Sequence, residues 1–464
     1  MSDVAPDQVI RGWAVDPAAG REGPAELALR DGSLERLTWL SGAEADGIDA
    51  GGTLILPGLV DLHAHFREPG NEDAETVASG QAAAAHGGFT TVAVMPNTTP
   101  AIDDPSVVAR VRAAAAASGS PVRVLVHGAV TVGRGGETLA PLGELADAGV
   151  AGFSDDGTPV HAAALLRNAL AYAGSLGLPI IDHPEDPTLT RGAEASEGYV
   201  ATVLGLKGWP TAAESGAVAR AIALLADVVP DVPGARLHLT HVSTAASLAH
   251  VRVAKAAGLP VTCDVTPHHL AFADEWIAGA RRWAWEAVDA DGSARDPWTD
   301  GALVAAPFDP SLRVNPPLRA ATDAAACLAA LADGTADAIA TDHAPHTEVD
   351  KHVEFGWASN GISGIETALP IVLAAVDAGQ ITLARAVEAM TTGPARILGE
   401  RQGVRPGLRE GAPADLVVVD RGATWTVTAA SLRSKGKNSP LLGRELRGVV
   451  RLTLAAGRVA YSAD

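Results

Sequence analysis

Eight short apolar runs, alternating with Ala- and Leu-rich stretches that stop at glycine, restrict the fold of this chain more than any other feature. The runs lie at 59–65, 90–95, 122–127, 150–155, 178–182, 236–241, 259–265 and 337–341. Between them come segments such as SGQAAAAHGG, HAAALLRNALAYAGSLG and TAASLAHVRVAKAAG, helix formers with a glycine stop. Strand and helix in strict alternation read as a parallel sheet buried on both faces, and eight repeats predict a (β/α)8 barrel. A doubly wound open sheet alternates in the same way and is the competing architecture. Polar residues collect at one end of the runs: HAHFR after the first, MPNT after the second, SDDG after the fourth. DHPED follows the fifth, HVS the sixth and TDHAPH the eighth. The C-terminal end of the strands is where barrel enzymes build their sites, so these clusters are expected to meet.

The ends of the chain read differently. Residues 1–56 and 403–464 carry strand-like pieces punctuated by turns, such as GGTLILPG, ADLVVVD and GVVRLTLAAGRVAYS. They are expected to form one composite β-domain flanking a barrel of residues 57–402. Within the barrel, 272–312 is an insertion holding Trp276, Trp283, Trp285 and Trp298, four of nine tryptophans. A helical hairpin packing its own indoles is the expected form, with an interface or lid as the other reading. With 464 residues, 47% of them hydrophobic, the chain can bury a core of this size. A net charge of −20 without a basic stripe argues against nucleic acid. No run has the apolar length of a membrane span, and the N-terminus lacks the basic start of a signal peptide. Cys263 and Cys327 alone make no disulfide framework, so a cytoplasmic location is expected.

The chemistry concentrates in LPGLVDLHAHFREPG. Alternation along a strand puts His63 and His65 on one face, together with Asp61 and Arg67. Two imidazoles aimed into one space suit zinc or a similar divalent metal, although an isolated His-x-His equally describes two hydrogen-bonded core histidines. His183, His241 and Asp342 end later runs, and either Asp155 or Asp156 ends the fourth. Six donors exceed the needs of one ion and allow a carboxylate-bridged pair. Arg67 could fork onto a substrate carboxylate or serve as a surface ion-pair residue. His238, His268, His269 and His343 are expected to hydrogen-bond the polar end of the barrel. His86, His127, His161, His250 and His352 carry no partner motif. The loop 343–361, with Gly356 and Gly361, could close over a ligand.

Taken in order, HAHFREPG, GGFTTVAVMPNTTP, FSDDGTPV, DHPED, HVST, TPHHL, NPPLR and TDHAPH resemble the amidohydrolase superfamily and, more closely, its class I dihydroorotases. GAPADLVVVD and SKGKNSP extend the resemblance from about Leu54 to the end. It implies metal ligands at His63, His65, Asp156, His183, His241 and Asp342, holding one or two zinc ions or other divalent metals. Many amidohydrolases bridge their metals with a carbamylated lysine after strand four. This chain has no lysine before Lys207, and class I dihydroorotases use an aspartate there. Asp156 shares a face with Gly152 and Ser154 and has the family's spacing to His183; Asp155 stays as the alternative. Substrate contacts are implied for His65, Arg67, Asn97, Asn315, His346, Asn360 and Gly361, the last two within ASNGISG, which lacks the usual proline. The implied reaction is the reversible cyclisation of N-carbamoyl-L-aspartate to dihydroorotate in pyrimidine biosynthesis, through a metal-bound hydroxide with Asp342 as general acid and base. A hydantoinase, dihydropyrimidinase or allantoinase is the rival enzyme, and an inactive scaffold for aspartate transcarbamoylase the rival of another class. Beyond the small-molecule substrate, a second copy of the chain and aspartate transcarbamoylase are the partners the resemblance suggests.

Overall fold

A computed structural model describes residues 4–463. The chain opens with an antiparallel meander, β1 (Gln8–Asp16), β2 (Arg21–Arg30) and β3 (Ser33–Trp39), and then lays β4 (Thr53–Pro57) parallel to β1. Through Gly58 the chain passes directly into β5 (Leu59–Ala64), which pairs in parallel with β6 (Phe89–Val94), itself paired with β7 (Arg123–Val126). A second parallel group follows: β8 (Ile180–Asp182), β11 (Leu237–Leu239), β12 (Val261–Val265) and β13 (Ala338–Ile339). A short pair, β9 (Ala195–Ser196) and β10 (Gly208–Trp209), lies between β8 and β11 in sequence. Single bridges join the two groups into a ring. Phe153 pairs with Gly128 on one side and Ile180 on the other, and His343 pairs with Ala64.

The fourth expected run therefore shrinks to one bridging residue and the eighth to two residues. Buried carboxylates explain this. Asp155 accepts the backbone N–H groups of Val130 and Thr131, and Asp61 accepts that of Thr341. Donors that a longer ladder would use are satisfied by side chains instead.

Helices cover the outside of the ring. The one at Val77–His86 starts from a Thr76 cap and brings Gly80 against the Phe66 ring, where a Cβ would come within 2.4 Å of a ring carbon. Phe66 separates His65 from Arg67, so this close approach fixes the strand end carrying both. At the end of the chain β14 (Leu416–Thr426), β15 (Glu445–Ala455) and β16 (Arg458–Ser462) join the first four strands in one sheet, ordered β16-β15-β14-β4-β1-β2-β3. Leu27, Leu34, Ile55, Leu416 and Leu454 form its core.

The insertion is not a helical hairpin. The only helical elements in residues 272–312 are the 3-10 turns Asp274–Trp276, Ala284–Glu286 and Pro310–Leu312. Gly279, Gly292 and Gly301 adopt positive φ, and Pro297, Pro307 and Pro310 interrupt the sequence, a composition that breaks helices. Trp276 is fully buried, 4.3 Å from Phe272, and Trp283 stacks on Trp285 at 5.4 Å. The Arg444 guanidinium covers Trp283 at 3.7 Å, tying the insertion to the C-terminal segment. Trp298 packs elsewhere, against Tyr199. Trp276→Ala should cost about 3–5 kcal/mol, the usual loss for emptying a large aromatic site. A denaturant midpoint equal to wild type would show that the indole cluster is not a structural core.

Candidate active site

Three of the strand ends are bent into position. Pairing of β5 with β6 slips between Asp61 and Ala64, a bulge directly before His65. Arg67, His241 and Asp342 adopt left-handed backbone angles, φ 59°, 40° and 46°. Non-glycine residues hold such angles only where their surroundings impose them, and such strain gathers at functional sites.

His63, His65, Asp156, His183, His241 and Asp342 lie together at the mouth of the ring. His63 Nε2 is 3.2 Å from His65 Nε2; the pair faces Asp156 Oδ2 at 3.4 and 3.6 Å and Asp342 Oδ1 at 3.4 and 3.1 Å. On the other side of Asp156, Oδ1 meets His183 Nδ1 at 3.2 Å and His241 Nε2 at 3.5 Å, and those two nitrogens are 2.8 Å apart. One carboxylate thus joins two groups of donors, His63–His65–Asp156 and Asp156–His183–His241. Asp155 faces away, taken up by Val130, Thr131 and the Thr131 hydroxyl.

The outward nitrogens decide what the inward ones can do. His65 Nδ1 lies 2.8 Å from Asn97 Oδ1 and His183 Nε2 lies 3.0 Å from Glu185 Oε2. Both partners are acceptors, so each outer nitrogen carries a proton and the inner one is the position that can offer a lone pair to an incoming cation. His63 Nδ1 meets the Thr240 hydroxyl at 2.7 Å, and Thr240 in turn meets Asp264. Four imidazoles and two carboxylates converging in a buried space make a site for divalent metal. The electrostatics agree. Burial opposes charge on His63 and His183, but Asp156, helped by Asp342 at His63 and Glu185 at His183, raises them to about 9 and about 10. Despite burial, His63 and its neighbours hold Asp342 and Asp156 below the ordinary carboxylate range. The pocket is thus a negative well that draws positive charge.

A cavity of about 160 Å³ opens beside these donors, lined by Arg67, Asn97, Asn315, His346, Asn360 and Gly361 as well as His65, Asp156, His183 and Asp342. Arg67 Nε donates to the Pro345 carbonyl, and Nη2 lies 3.3 Å from His346 Nε2. That histidine nitrogen is 2.7 Å from the Asn360 carbonyl, so its proton goes there and it offers Arg67 no lone pair. Arg67 makes no ion pair among the described residues, and burial lowers its guanidinium to about 10 despite Asp342 and Asp156. Asn315 Nδ2 donates to Glu185, leaving Oδ1 buried without a partner.

The remaining histidines have other roles. His238 bonds Thr262 and Asp264, His269 bonds Thr266 and the Pro316 carbonyl, and His343 reaches Glu75 and the Gly364 N–H. His86, which has no sequence motif, pairs with Glu366 at 2.6 Å. HVS contributes His241 to the donors, but Ser243 turns away to Glu214 and Arg319. Sequence reasoning passed over Glu185, Thr240 and Asp264. Glu185 carried a signal, standing two residues after His183 in DHPED.

A parallel ring of seven strands, completed through the bridging residue Phe153 and carrying this donor set at its mouth, defines a metal-dependent cyclic amidohydrolase. Residues 52–247 match the family described as Dihydro-orotase-like. Dihydroorotase from Anaeromyxobacter dehalogenans is 46% identical over 100% of this chain and 99% of its own length. Dihydroorotase from Pelotomaculum thermopropionicum is 44% identical over 97% and 96%. Among solved structures, L-hydantoinase (dihydropyrimidinase) from Arthrobacter aurescens superposes with a TM-score of 0.78 at 25% identity, covering 100% of this chain and 96% of that one. Dihydropyrimidinase from Brevibacillus agri, at 22% identity and TM-score 0.76, covers 98% and 95% and shares the fold. The chain belongs to the dihydroorotase family.

His63→Ala and His183→Ala should each lower bound metal and turnover while preserving the circular dichroism spectrum. Full occupancy and normal turnover in both would remove these residues from the metal site. The lysine question has an independent answer. Lys207 Nζ is bonded to the Arg191 carbonyl and Lys255 Nζ is 2.6 Å from Asp337, neither directed at the donors. Intact-mass and peptide spectra of active protein should contain no carboxylated lysine. A metal-bound carbamate on either residue would displace Asp156 from its bridging place.

Proposed function

We propose that this chain is a dihydroorotase, closing N-carbamoyl-L-aspartate to dihydroorotate and opening the ring in reverse. The observation that carries the reading is Arg67: a cation with no carboxylate partner, lining the same small cavity as the metal donors. Arg67 is part-buried, and a guanidinium withdrawn from water without a counter-ion costs free energy unless a ligand supplies the anion. Dihydroorotate carries a ring carboxylate; hydantoin and allantoin carry none.

In this reading His63, His65, Asp156 and Asp342 would hold one zinc ion, and Asp156, His183 and His241 would hold a second. The metal supplies Lewis acidity toward the amide carbonyl and lowers the pKa of water at the site. Asp342 lines the cavity beside both His63 and His65. In ring opening its carboxylate accepts the proton of the attacking water and returns it to the leaving nitrogen; ring closure reverses both transfers. Arg67 and the Asn97 amide orient the substrate carboxylate, since His65 occupies Asn97 Oδ1 and leaves Nδ2 to donate. His346, Asn360 and Gly361 form the wall on that side, and Asn315 Oδ1 accepts a ring N–H. No helix among the described residues is long and apolar enough to cross a membrane.

Purified, metal-loaded protein should turn over dihydroorotate far faster than hydantoin or allantoin. Arg67→Lys keeps the charge but loses the planar fork. Losing one charge-assisted bond costs about 1.5–3 kcal/mol, so kcat/KM on dihydroorotate should fall roughly ten- to a hundred-fold with metal content unchanged. Efficient hydantoin hydrolysis by wild type, unaffected in the variant, would replace this reading with that of a hydantoinase.

A further inference from the structure

Behind the cavity wall lies a second buried cation. Lys351, at the end of the short helix Glu348–Lys351, is 3% exposed and makes no ion pair among the described residues. Its Nζ donates to three backbone carbonyls: Ser359 at 2.7 Å, Gly361 at 3.1 Å and Arg313 at 3.4 Å. These belong to two separate segments. Arg313 lies two residues before Asn315, whereas Ser359 and Gly361 flank Asn360. Other bonds run across the same junction. Gly361 N–H donates to the Arg313 carbonyl at 2.9 Å, Arg313 Nε to Asn360 Oδ1 at 3.1 Å, and Arg313 Nη1 to the Phe355 carbonyl at 2.9 Å.

Gly361 makes this junction sensitive. Its φ is 143°, and a Cβ would come 2.5 Å from that of Ala344. Bare backbone therefore forms the wall, and its position depends on what holds its peptide groups. The Gly361 carbonyl is held twice, by Lys351 and by Asn438 Nδ2 at 2.9 Å. Asn438 also receives the His346 N–H and donates to the Ala344 carbonyl, anchoring the other end of the loop.

We propose that Lys351 is a positioning residue: its three N–H bonds set the spacing between Asn315 and the Asn360–Gly361 wall, and thereby the fit of the anionic ring substrate. The inference rests on the dihydroorotase reading for the identity of that ligand. A tetrahedral ammonium is suited to the task because it presents three donors from one compact head, which no neutral side chain does. Burial pushes this ammonium down to about 7 even though Asp309 opposes the shift, so the cation is held here against a desolvation penalty. Lys351 does not line the cavity itself. Its effect passes through the backbone it holds.

Removing the ammonium should loosen the junction without unfolding it. With methionine at 351, the Arg313 carbonyl keeps the Gly361 N–H and the Gly361 carbonyl keeps Asn438. The Ser359 carbonyl loses its Lys351 donor. Lys351→Met and Lys351→Gln are to be compared with wild type as metal-loaded full-length chains. The readouts are metal content, kcat and KM on dihydroorotate, and hydrogen exchange of peptides covering 313–316 and 356–361.

In the Met variant KM should rise about ten-fold, as for the loss of a hydrogen bond to a charged group, with kcat within about three-fold of wild type. Metal content should not change, and exchange should quicken in those two peptides. Gln keeps two N–H donors without charge and should recover part of the KM. Unchanged KM and exchange in the Met variant would overturn the proposal, as would a loss confined to kcat or to bound metal. If the Met variant fails to fold, the Gln variant decides: normal exchange with KM raised would overturn it, and quickened exchange with KM raised would uphold it. Wild type inactive on dihydroorotate, with exchange still quickened in the variants, would refute the proposed function and leave the strut in place.

Discussion

The structure depends on one arrangement: two carboxylates and four imidazoles brought out of water around a space that only a cation can neutralise. Asp156 and Asp342 are 4% and 6% exposed, and His63, His65, His183 and His241 are no more open. Taking carboxylates this far from solvent costs several kcal/mol each unless charge and hydrogen bonds compensate. Without metal, the compensation has to come from protons on the imidazoles, which is why His63 and His183 hold theirs so strongly. A divalent ion provides the same compensation from the inward lone pairs. The protein prepares for it by committing the outward nitrogens of His65 and His183 to Asn97 and Glu185.

That preparation reaches into the backbone through a second set of buried aspartates. Asp61 holds Thr341 N–H beside Asp342, Asp155 holds Val130 and Thr131 beside Asp156, and Asp264 holds the N–H of His241 at 2.7 Å. Each lies next to a donor residue, or bonds the donor's own backbone, where the chain leaves the ladder. Regular pairing would carry the chain straight on. Side-chain acceptors at these points let it turn, and the left-handed angles of His241 and Asp342 are the local result. The shortened fourth and eighth strands and the assembled site are one phenomenon. Carboxylates have replaced part of the ladder at the end where function sits.

Period and composition revealed the architecture because each strand–helix unit repeats the same local signals: a short apolar run, helix formers, a glycine stop. The donor residues were legible for a related reason, since polar groups at the end of buried strands have few structural uses. Face alternation favoured Asp156 over Asp155, and the structure puts Asp156 between both donor groups while Asp155 binds backbone. The insertion was not legible. Four tryptophans suggested a packed hairpin, but glycines, prolines and turn-forming aspartates set its path, and Trp276 finds its cover partly from Arg444, which lies far along the chain. Glu185, Thr240 and Asp264 were missed because an acidic or hydroxyl residue near a ligand histidine has many roles until the outward nitrogen is placed.

At 25% identity the whole chain superposes on an L-hydantoinase, strand ring and terminal sheet included, so the fold does not separate these enzymes. On the proposed reading the separation arises in the few groups facing the cavity away from the metal donors. There Arg67 stands without an anion, its neighbour His346 spends Nε2 on the Asn360 carbonyl, and Asn315 keeps an unpartnered acceptor. On the proposed reading, a neutral ring would leave that part-buried guanidinium unpaired, the kind of mismatch by which polar sites reject ligands lacking the matching group. On that reading, discrimination follows from what this side of the cavity would leave unsatisfied, while the metal donors gather at the other side, around Asp156.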